Sequence, residues 1–418
     1  MLQKGKALVF FLSALVVSYG LLAAFYGRVV ARDEAYKELA VFMDALNKIN
    51  KDYVEAPDMT KVQEGAMHGL MAALDPYSGY FTKAQFEVIQ KRLAAGTAGP
   101  GFVLSKRADV LFIVSLQKDG PAESAGLRQG DYLVAIDGVG VEDKSILEAE
   151  SLLRGAPGTK VKVSVFRSAR TKPLEIEITR RAESPAAPAS QMIGEGIGLL
   201  EVPSLAGSAA EQVRLKLKTL VSAGAQKIIL DLRDSADGDP DTGAEVANLF
   251  LREGLIYYCQ NRNGERTREV RASGDRFVTD LPLVLLINES SASAAEIVAG
   301  ALKDNGRAVI IGEKSFGMGS IQERITLKSG AVLVLSTAKV YTPAGKMIQD
   351  EAVRHTGIRP DVEVPDDDLQ QDLVVQTMYD TQEDQVKYRQ LREKIRKVQL
   401  DRALELLAKG VLPEKKAA

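Results

Sequence analysis

The 418-residue sequence has little of what metal enzymes and histidine-dependent hydrolases need. It contains one cysteine, Cys259, and two histidines, His68 and His355. One thiol cannot form an internal disulfide or a thiolate metal cluster, and two imidazoles leave few metal ligands or general bases. These counts argue against zinc enzymes and against triads built on histidine, and we expect no metal and no organic cofactor.

Net charge is also nearly absent. The 54 lysines and arginines almost balance the 56 aspartates and glutamates, which gives a formal charge of −2. Such a chain has no overall field that would attract nucleic acid or acidic substrates, so we expect no nucleic-acid partner. Its 45% hydrophobic and 26% charged residues are enough to build a sizeable core in two or three domains.

One long uncharged run lies near the N-terminus. Residues 7–26 carry no charge, Lys4 and Lys6 precede them, and Arg28 and Arg32 follow. About 20 apolar residues suffice to cross a bilayer as a helix. A cleaved secretory signal and a buried soluble helix are the alternatives. We expect an uncleaved anchor, with the protein in the cell inner membrane as a single-pass chain and its bulk on the periplasmic or extracytoplasmic side.

Composition and periodicity divide the chain into five segments. Residues 1–32 hold the anchor or signal segment, and 33–95 show helical spacing of apolar residues. Residues 96–182 contain short runs rich in Val, Ile and aromatics, while 183–365 alternate buried strands with helices. Residues 366–418 form a charged helical tail. The alternation predicts an α/β core with a layered sheet, which takes strands from both sides of the inserted 96–182 module.

The module at 96–182 resembles a PDZ domain. The strand-like runs 110–116, 132–136 and 161–166 are separated by recurring glycine turns in the order typical of that fold. PDZ domains bind polypeptide tails by adding a strand to a sheet edge, and a glycine loop binds the terminal carboxylate. The matching loop contains Gly99, Gly101 and Phe102, with Pro100 lacking one N–H donor. The alternative is a module retained for packing or for gating its neighbour.

A second pattern concerns residues 288–296, which follow a buried strand and open a helix. Ser293 lies in this segment, where free N–H groups at a helix N-terminus can stabilise an oxyanion. Serines are also ordinary helix caps, and the spacing alone does not separate the two roles.

The order of several blocks resembles the C-terminal processing (tail-specific) serine peptidases. The resemblance covers about four fifths of the chain. Its blocks, besides the PDZ module, are residues 74–78, 231–233, 288–299, 312–322, 341–345 and 357–361.

The resemblance implies a serine nucleophile, a lysine general base and a supporting glutamine that together cleave polypeptides near their C-termini. By motif, Ser293 matches the nucleophile and Gln322 the glutamine, while Gly238 and Ala294 match the oxyanion site. The lysine position is occupied by Met318, 25 residues beyond the serine. A thioether accepts no proton near neutral pH, whereas a hydroxyl needs a base to become a good nucleophile.

Other departures from the family pattern accompany the methionine. After Asp-Leu-Arg the family usually reads Asn-x-Pro-Gly-Gly, whereas residues 234–238 read Asp-Ser-Ala-Asp-Gly. The carboxylate of Asp237 would oppose negative charge developing in an oxyanion site. Substitute bases could be Lys314, Glu296 or His355. The plainer interpretation is that Lys314 is a solvated turn lysine, Glu296 a charge on the helix surface and His355 a loop residue.

Three hypotheses follow. The first is a membrane-anchored pseudoprotease or adaptor that binds client C-termini and has lost activity because of Met318. The second is an active serine endopeptidase that uses Ser293 with a non-standard base. The third is a structural scaffold assembled through the tail. The partners are polypeptide substrates or clients and the membrane, with a homo-oligomer or an active paralogue as further alternatives.

Overall fold

The structure is a computed structural model that describes residues 17–18, 39–107, 110–167, 172–182, 184–194, 196–349, 357–365 and 382–410. The chain divides into two compact units, residues 1–67 and 68–418. The first unit contains helix α1 (residues 39–52), and α2 (Met59–Ala72) runs across the boundary in sequence.

One finding shows that the predicted membrane location is wrong. In the part of the chain that the structure describes, no helix is both long enough and apolar enough to cross a bilayer. The run 7–26, on which the anchor was predicted, lies outside the described residues except for positions 17 and 18. The single-pass inner-membrane placement and the membrane as a partner are corrected accordingly.

The elements of the second unit up to residue 182 belong to a short segment followed by the module that resembles a PDZ domain. In chain order they are β1 (Gly79–Phe81), α3 (Lys83–Ala95), β2 (Ala98–Gly99), β3 (Phe102–Arg107), β4 (Val110–Leu116), α4 (Pro121–Ser124), β5 (Tyr132–Ile136), β6 (Val139–Gly140), α5 (Ile146–Leu153), β7 (Lys160–Phe166), β8 (Leu174–Thr179) and β9 (Arg181–Ala182).

The remaining elements alternate strands with helices and end in a long helix. They are β10 (Ala189–Ile193), β11 (Ile197–Glu201), α6 (Ala209–Ser222), β12 (Lys227–Asp231), α7 (Pro240–Asn248), β13 (Leu255–Gln260), β14 (Arg266–Arg271), β15 (Leu283–Ile287), α8 (Ala294–Asp304), β16 (Val309–Gly312), β17 (Ser320–Thr326), β18 (Val332–Tyr341), β19 (Val362–Glu363) and α9 (Gln382–Ala408).

The PDZ sheet has the strand order β3-β4-β5-β7-β8, with β6 paired to β5. Strand β7 shows why the sheet forms: Val161, Val163 and Val165 are fully buried, while Lys160 and Lys162 face solvent. This alternation is the period-two pattern of a strand with one face on a core. Helix α5 begins at Ser145, whose side chain accepts from the Glu148 N–H in a capping box.

The core sheet has the order β10-β11-β12-β15-β16-β19, parallel except for β10. Strand β15 is buried throughout, because alternate residues face two different layers. Leu283, Leu285 and Ile287 pack with α6, α7 and α8, while Val284 and Leu286 pack against α9. A sheet covered on both faces explains the continuous apolar run, and the predicted α/β layer is confirmed.

A third sheet joins chain segments on either side of the PDZ module. Strand β1 pairs with β18 from Gly79↔Val334 to Phe81↔Val332, and β13 and β17 also pair with β18. The core therefore takes strands from before and after the insertion.

Candidate active site

Three serines lie between β15 and α8, and their burial separates their roles. Ser290 and Ser291 are fully buried, whereas Ser293 is partly exposed. The Ser290 hydroxyl donates to the Val114 carbonyl (2.7 Å), and the Ser291 hydroxyl donates to the Leu232 carbonyl (2.8 Å). These two hydroxyls hold the turn in place, so Ser293 is the serine that a substrate can reach.

The backbone of Ser293 is strained. Its φ of 52° and ψ of −115° lie in a region that residues with a side chain rarely adopt. A sharp strand-to-helix turn of this kind raises a nucleophilic hydroxyl above the end of a sheet in other hydrolase folds. We call residues 288–293 the nucleophile turn. The geometry fits the predicted role of Ser293.

The Ser293 hydroxyl donates to the Gly238 carbonyl at 2.9 Å. Gly238 ends residues 234–238, which we call the oxyanion loop, and has a φ of 86°. A Cβ at this position would lie 2.3 Å from the Leu205 carbonyl oxygen, so only glycine fits. Among the hydrogen bonds of the described residues, none is donated by the backbone N–H of Gly238 or Ala294. Neither N–H has an acceptor among the described residues, but Ala294 is fully buried and the Gly238 carbonyl faces the serine hydroxyl.

The carboxylate of Asp237 binds a neighbouring loop. Its Oδ2 accepts from the Ser204 hydroxyl (2.6 Å), and its Oδ1 accepts from the Leu205 N–H (2.8 Å). Two donors therefore already compensate this charge. The repulsion expected from the sequence is weakened by these bonds.

Glu296 contradicts the plainer interpretation, because its side chain is fully buried and not on the helix surface. One carboxylate oxygen accepts from the Ser315 hydroxyl (2.5 Å) and the Gly317 N–H (2.7 Å). The other accepts from the N–H groups of Met318 (2.7 Å) and Ser293 (3.1 Å). Burial raises the pKa of Glu296 to about 7, although these four donors act in the opposite direction.

The shared oxygen of Glu296 brings the base position next to the nucleophile. The backbone nitrogens of Ser293 and Met318 lie no more than about 5.8 Å apart, the sum of their two hydrogen bonds to it. The Met318 side chain packs in an apolar cluster that includes Val114 and Ala292. The backbone at position 318 thus lies next to that of the serine, but a thioether has no proton-accepting nitrogen.

The other candidate bases do not bind the serine hydroxyl in the described residues. Lys314 is half-buried in the loop between β16 and β17, and no described hydrogen bond joins its ammonium to Ser293. His355 lies outside the described residues. His68 stands edge-on to the Tyr80 ring, with centroids 6.2 Å apart.

Gln322 is exposed on β17 and binds two serines. Its Nε2 donates to Ser320 Oγ (2.8 Å) and Ser336 Oγ (3.2 Å). The Ser336 N–H donates to the Ser78 hydroxyl (3.2 Å), which in turn donates to Asp75 (2.8 Å). The block at 74–78 therefore binds β18, the strand that pairs with the strand carrying the predicted glutamine.

The predicted carboxylate loop closes one end of the PDZ sheet. Gly101 has a φ of 78°, and its carbonyl accepts from the Gln117 N–H (2.9 Å). Phe102 begins β3, which pairs only with β4 among the described strands. Its other edge is the kind of edge that PDZ domains extend with a peptide strand.

One face of the PDZ sheet packs on the oxyanion loop and on the loop between β16 and β17. The rings of Phe112 and Phe316 lie 5.7 Å apart, and the Ser115 hydroxyl donates to the Asp234 carbonyl (2.8 Å). These contacts, like those of Glu296, escaped the sequence reasoning. The only available signal was the carboxylate placed one helical turn after Ser293.

Comparisons with known proteins agree with this architecture. A family model described as peptidase family S41 matches residues 196–364, and a PDZ domain model matches residues 112–167. The carboxy-terminal-processing protease of Bartonella bacilliformis is 31% identical over 364 residues, which are 86% of this chain and 82% of that protein. The carboxyl-terminal-processing protease of Synechocystis is 33% identical over 321 residues, covering 75% and 74%.

A solved structure has the same fold. The photosystem II D1 C-terminal processing protease superposes with a TM-score of 0.64 at 24% identity, over 78% of this chain and 92% of that one. The chain belongs to peptidase family S41, the family of the carboxy-terminal-processing proteases.

Proposed function

We propose that this protein binds polypeptide tails as a carboxy-terminal-processing protease homologue whose own hydrolysis is impaired. One observation carries the proposal: Glu296 binds the backbone N–H groups of both Met318 and Ser293, so the residue next to the nucleophile at the family's lysine position is a thioether. Without a proton acceptor the hydroxyl remains a weak nucleophile. The protein then acts as an adaptor, a competitor or an inactive partner of an active relative.

Retained binding rests on the parts of the site that do not depend on the base. The N–H groups of Gly238 and Ala294 lack acceptors among the described residues, and β3 offers an edge to an extended peptide. Binding and hydrolysis are separable, because only the latter requires the hydroxyl to lose its proton.

The PDZ module that would bind the tail is bracketed by a pair of strands. Gly99 in β2 pairs with Arg181 in β9, and Ala98 pairs with Ala182, so the chain enters and leaves the module at one point. This pairing supports domain boundaries close to 96 and 182. Boundaries near 32 and 365 remain proposals based on the sequence.

An active serine endopeptidase with a non-standard base is the second candidate. The observation in its favour is Ser293 itself, which is partly exposed and held in a strained turn. A pseudoenzyme does not need such a geometry. Lys314, four residues before Met318, is the substitute that this hypothesis requires.

The deciding experiment offers an unstructured polypeptide to the full-length wild type, Ser293→Ala and Met318→Lys proteins. We expect no wild-type cleavage above the Ser293→Ala level. Restoring an amine should raise cleavage by about 10²-fold or more, the usual contribution of a general base. Met192→Lys is the matched control, because Met192 lies on the exposed strand β10 and supplies an amine away from the site. Ser293-dependent cleavage by the wild type would contradict impaired hydrolysis.

Tail binding is tested separately with a fluorescent C-terminal peptide. Gly101→Val should abolish binding, since a Cβ at Gly101 would already lie 2.9 Å from Cδ of Pro121 and the φ of 78° disfavours any side chain. The scaffold hypothesis predicts no affinity for either protein. A wild type that binds no peptide would therefore favour the scaffold.

A further inference from the structure

The tail helix α9 contacts the oxyanion loop through two arginines. Arg392 and Arg396 lie one turn apart and both bind Asp234. Arg392 Nη2 donates to Oδ1 at 2.9 Å, and Arg396 Nη1 donates to Oδ2 at 2.6 Å. All three side chains are at least two thirds buried, with exposures of 31% for the aspartate and 19% and 26% for the arginines. Both ion pairs are therefore partly shielded from the solvent screening that weakens surface ion pairs.

Asp234 is placed to transmit this contact to the site. It is the first residue of the oxyanion loop, four before Gly238, and its φ of 64° is strained. Its N–H donates to Asn288 Oδ1 (2.9 Å), and Asn288 Nδ2 donates back to its carboxylate (2.7 Å). Asn288 begins the nucleophile turn. One residue thus links the tail helix, the oxyanion loop and the nucleophile turn.

The charge on Asp234 makes the position of the oxyanion loop depend on Arg392 and Arg396. Burial alone would raise the pKa of Asp234, but Arg392 and Arg396, with smaller contributions from Asn288 and Arg233, hold it below its usual value. Without the two tail arginines, the desolvated carboxylate would lose its two ion pairs and remain near the carboxyl group of Glu313. The family usually has a neutral asparagine at position 234, which needs no cation.

We propose that Arg392 and Arg396 are positioning residues that hold the oxyanion loop against the nucleophile turn through Asp234. Helix α9 has two separate structural roles in this arrangement. Its C-terminal half, with Ala403, Leu406 and Leu407, covers the sheet, while its two arginines set the geometry of the loop. The proposal needs no hydrolysis, because it concerns the shape of the loop in the resting protein.

Amide hydrogen–deuterium exchange of the full-length protein tests it. In the Arg392→Met/Arg396→Met variant, exchange within residues 234–238 should accelerate at least tenfold. Exchange at 400–408 should stay as in the wild type, which shows that the helix remains docked. Arg389→Met is the matched control, because Arg389 is exposed on the same helix; it should leave the loop unchanged.

The Asp234→Asn background separates positioning from simple packing. With a neutral residue at 234, the two arginine substitutions should accelerate loop exchange less than threefold, so the effects are strongly non-additive. A purely structural helix would loosen the loop equally in both backgrounds, and that result would overturn the proposal. An unchanged loop in the double arginine variant would overturn it as well. Neither result depends on whether Met318→Lys restores cleavage, so this proposal and the proposed function fail separately.

Discussion

Replacing Glu296 by glutamine should remove a large pH dependence from the stability of the protein. The unfolded carboxyl titrates near 4.5, and burial raises the pKa in the folded protein to about 7. The native state therefore binds more protons between these values, and its stability is full below about pH 4.5 and falls as the pH rises through 7. A shift of this size corresponds to about 3 kcal/mol in the free energy of unfolding.

The measurement is urea unfolding of the full-length proteins, followed by circular dichroism from pH 4 to pH 8. The difference between wild type and Glu296→Gln should shrink by about 3 kcal/mol over this range, because the amide does not titrate. The substitution also lowers the free energy of unfolding by an amount that does not depend on pH, since an amide nitrogen would face one of the four donors. Glu323→Gln is the control, because Glu323 is exposed on β17. Glu313→Gln is a second test, because burial and then Glu289 raise the pKa of Glu313 to about 7 as well.

The opposite slope would refute the reasoning. Three backbone N–H groups and one hydroxyl bind the Glu296 carboxylate, and such bonds favour the charged form. If they outweighed burial, the wild type would gain stability over Glu296→Gln as the pH rises. The sign of the difference therefore tells which of the two effects dominates in this buried helix.

Three other substitutions have outcomes that follow from single contacts. Gly238→Ala should destabilise the protein by at least about 2 kcal/mol in thermal unfolding, because its Cβ would meet the Leu205 carbonyl and its φ is positive. Arg167→Met should cost about 3–5 kcal/mol in urea unfolding of the PDZ module, since it leaves the buried Asp131 without its partner at 2.7 Å. Ser291→Ala should cost about 1–3 kcal/mol by the same assay yet leave peptide binding unchanged, because its hydroxyl is buried in the turn. Costs below 0.5 kcal/mol would contradict each of these.

Much of the fold could be predicted because apolar periodicity is a local signal. The runs at 110–116 and 132–136 are strands with those same bounds, and the continuous run ending at Ile287 is a strand buried on both faces. For α8 the sequence indicates only that a helix opens within residues 288–296, and the structure places its ends at Ala294 and Asp304. Such ends depend on caps and neighbouring loops more than on periodicity.

The site was predictable only where residues close in sequence share a role. Ser293 and Ala294 stand at the junction of one strand and one helix, which a reader of the sequence can locate. Three of the four partners of Glu296 lie about 20 residues further along the chain, and the arginine partners of Asp234 lie 158 and 162 residues away. No local pattern marks such contacts, because they arise only when the sheet brings its loops to one edge.

Three of the departures from the family pattern have partners elsewhere in this chain. Asp237 binds the Ser204 hydroxyl and the Leu205 N–H, Asp234 binds the tail helix, and Met318 packs among apolar side chains. Unselected changes at buried positions would leave uncompensated charges or gaps, each costing about 1–3 kcal/mol. The site is therefore a stable arrangement.

This arrangement also determines what a restored lysine would experience. The amine of Met318→Lys would enter the apolar cluster with Val114 and Ala292, where desolvation lowers the pKa of an ammonium and makes the amine a better base near neutral pH. The surroundings that suit a thioether are thus the surroundings that a general-base lysine requires. The proposal of impaired hydrolysis therefore rests on one side chain, and the apolar surroundings that would activate a lysine in its place are present.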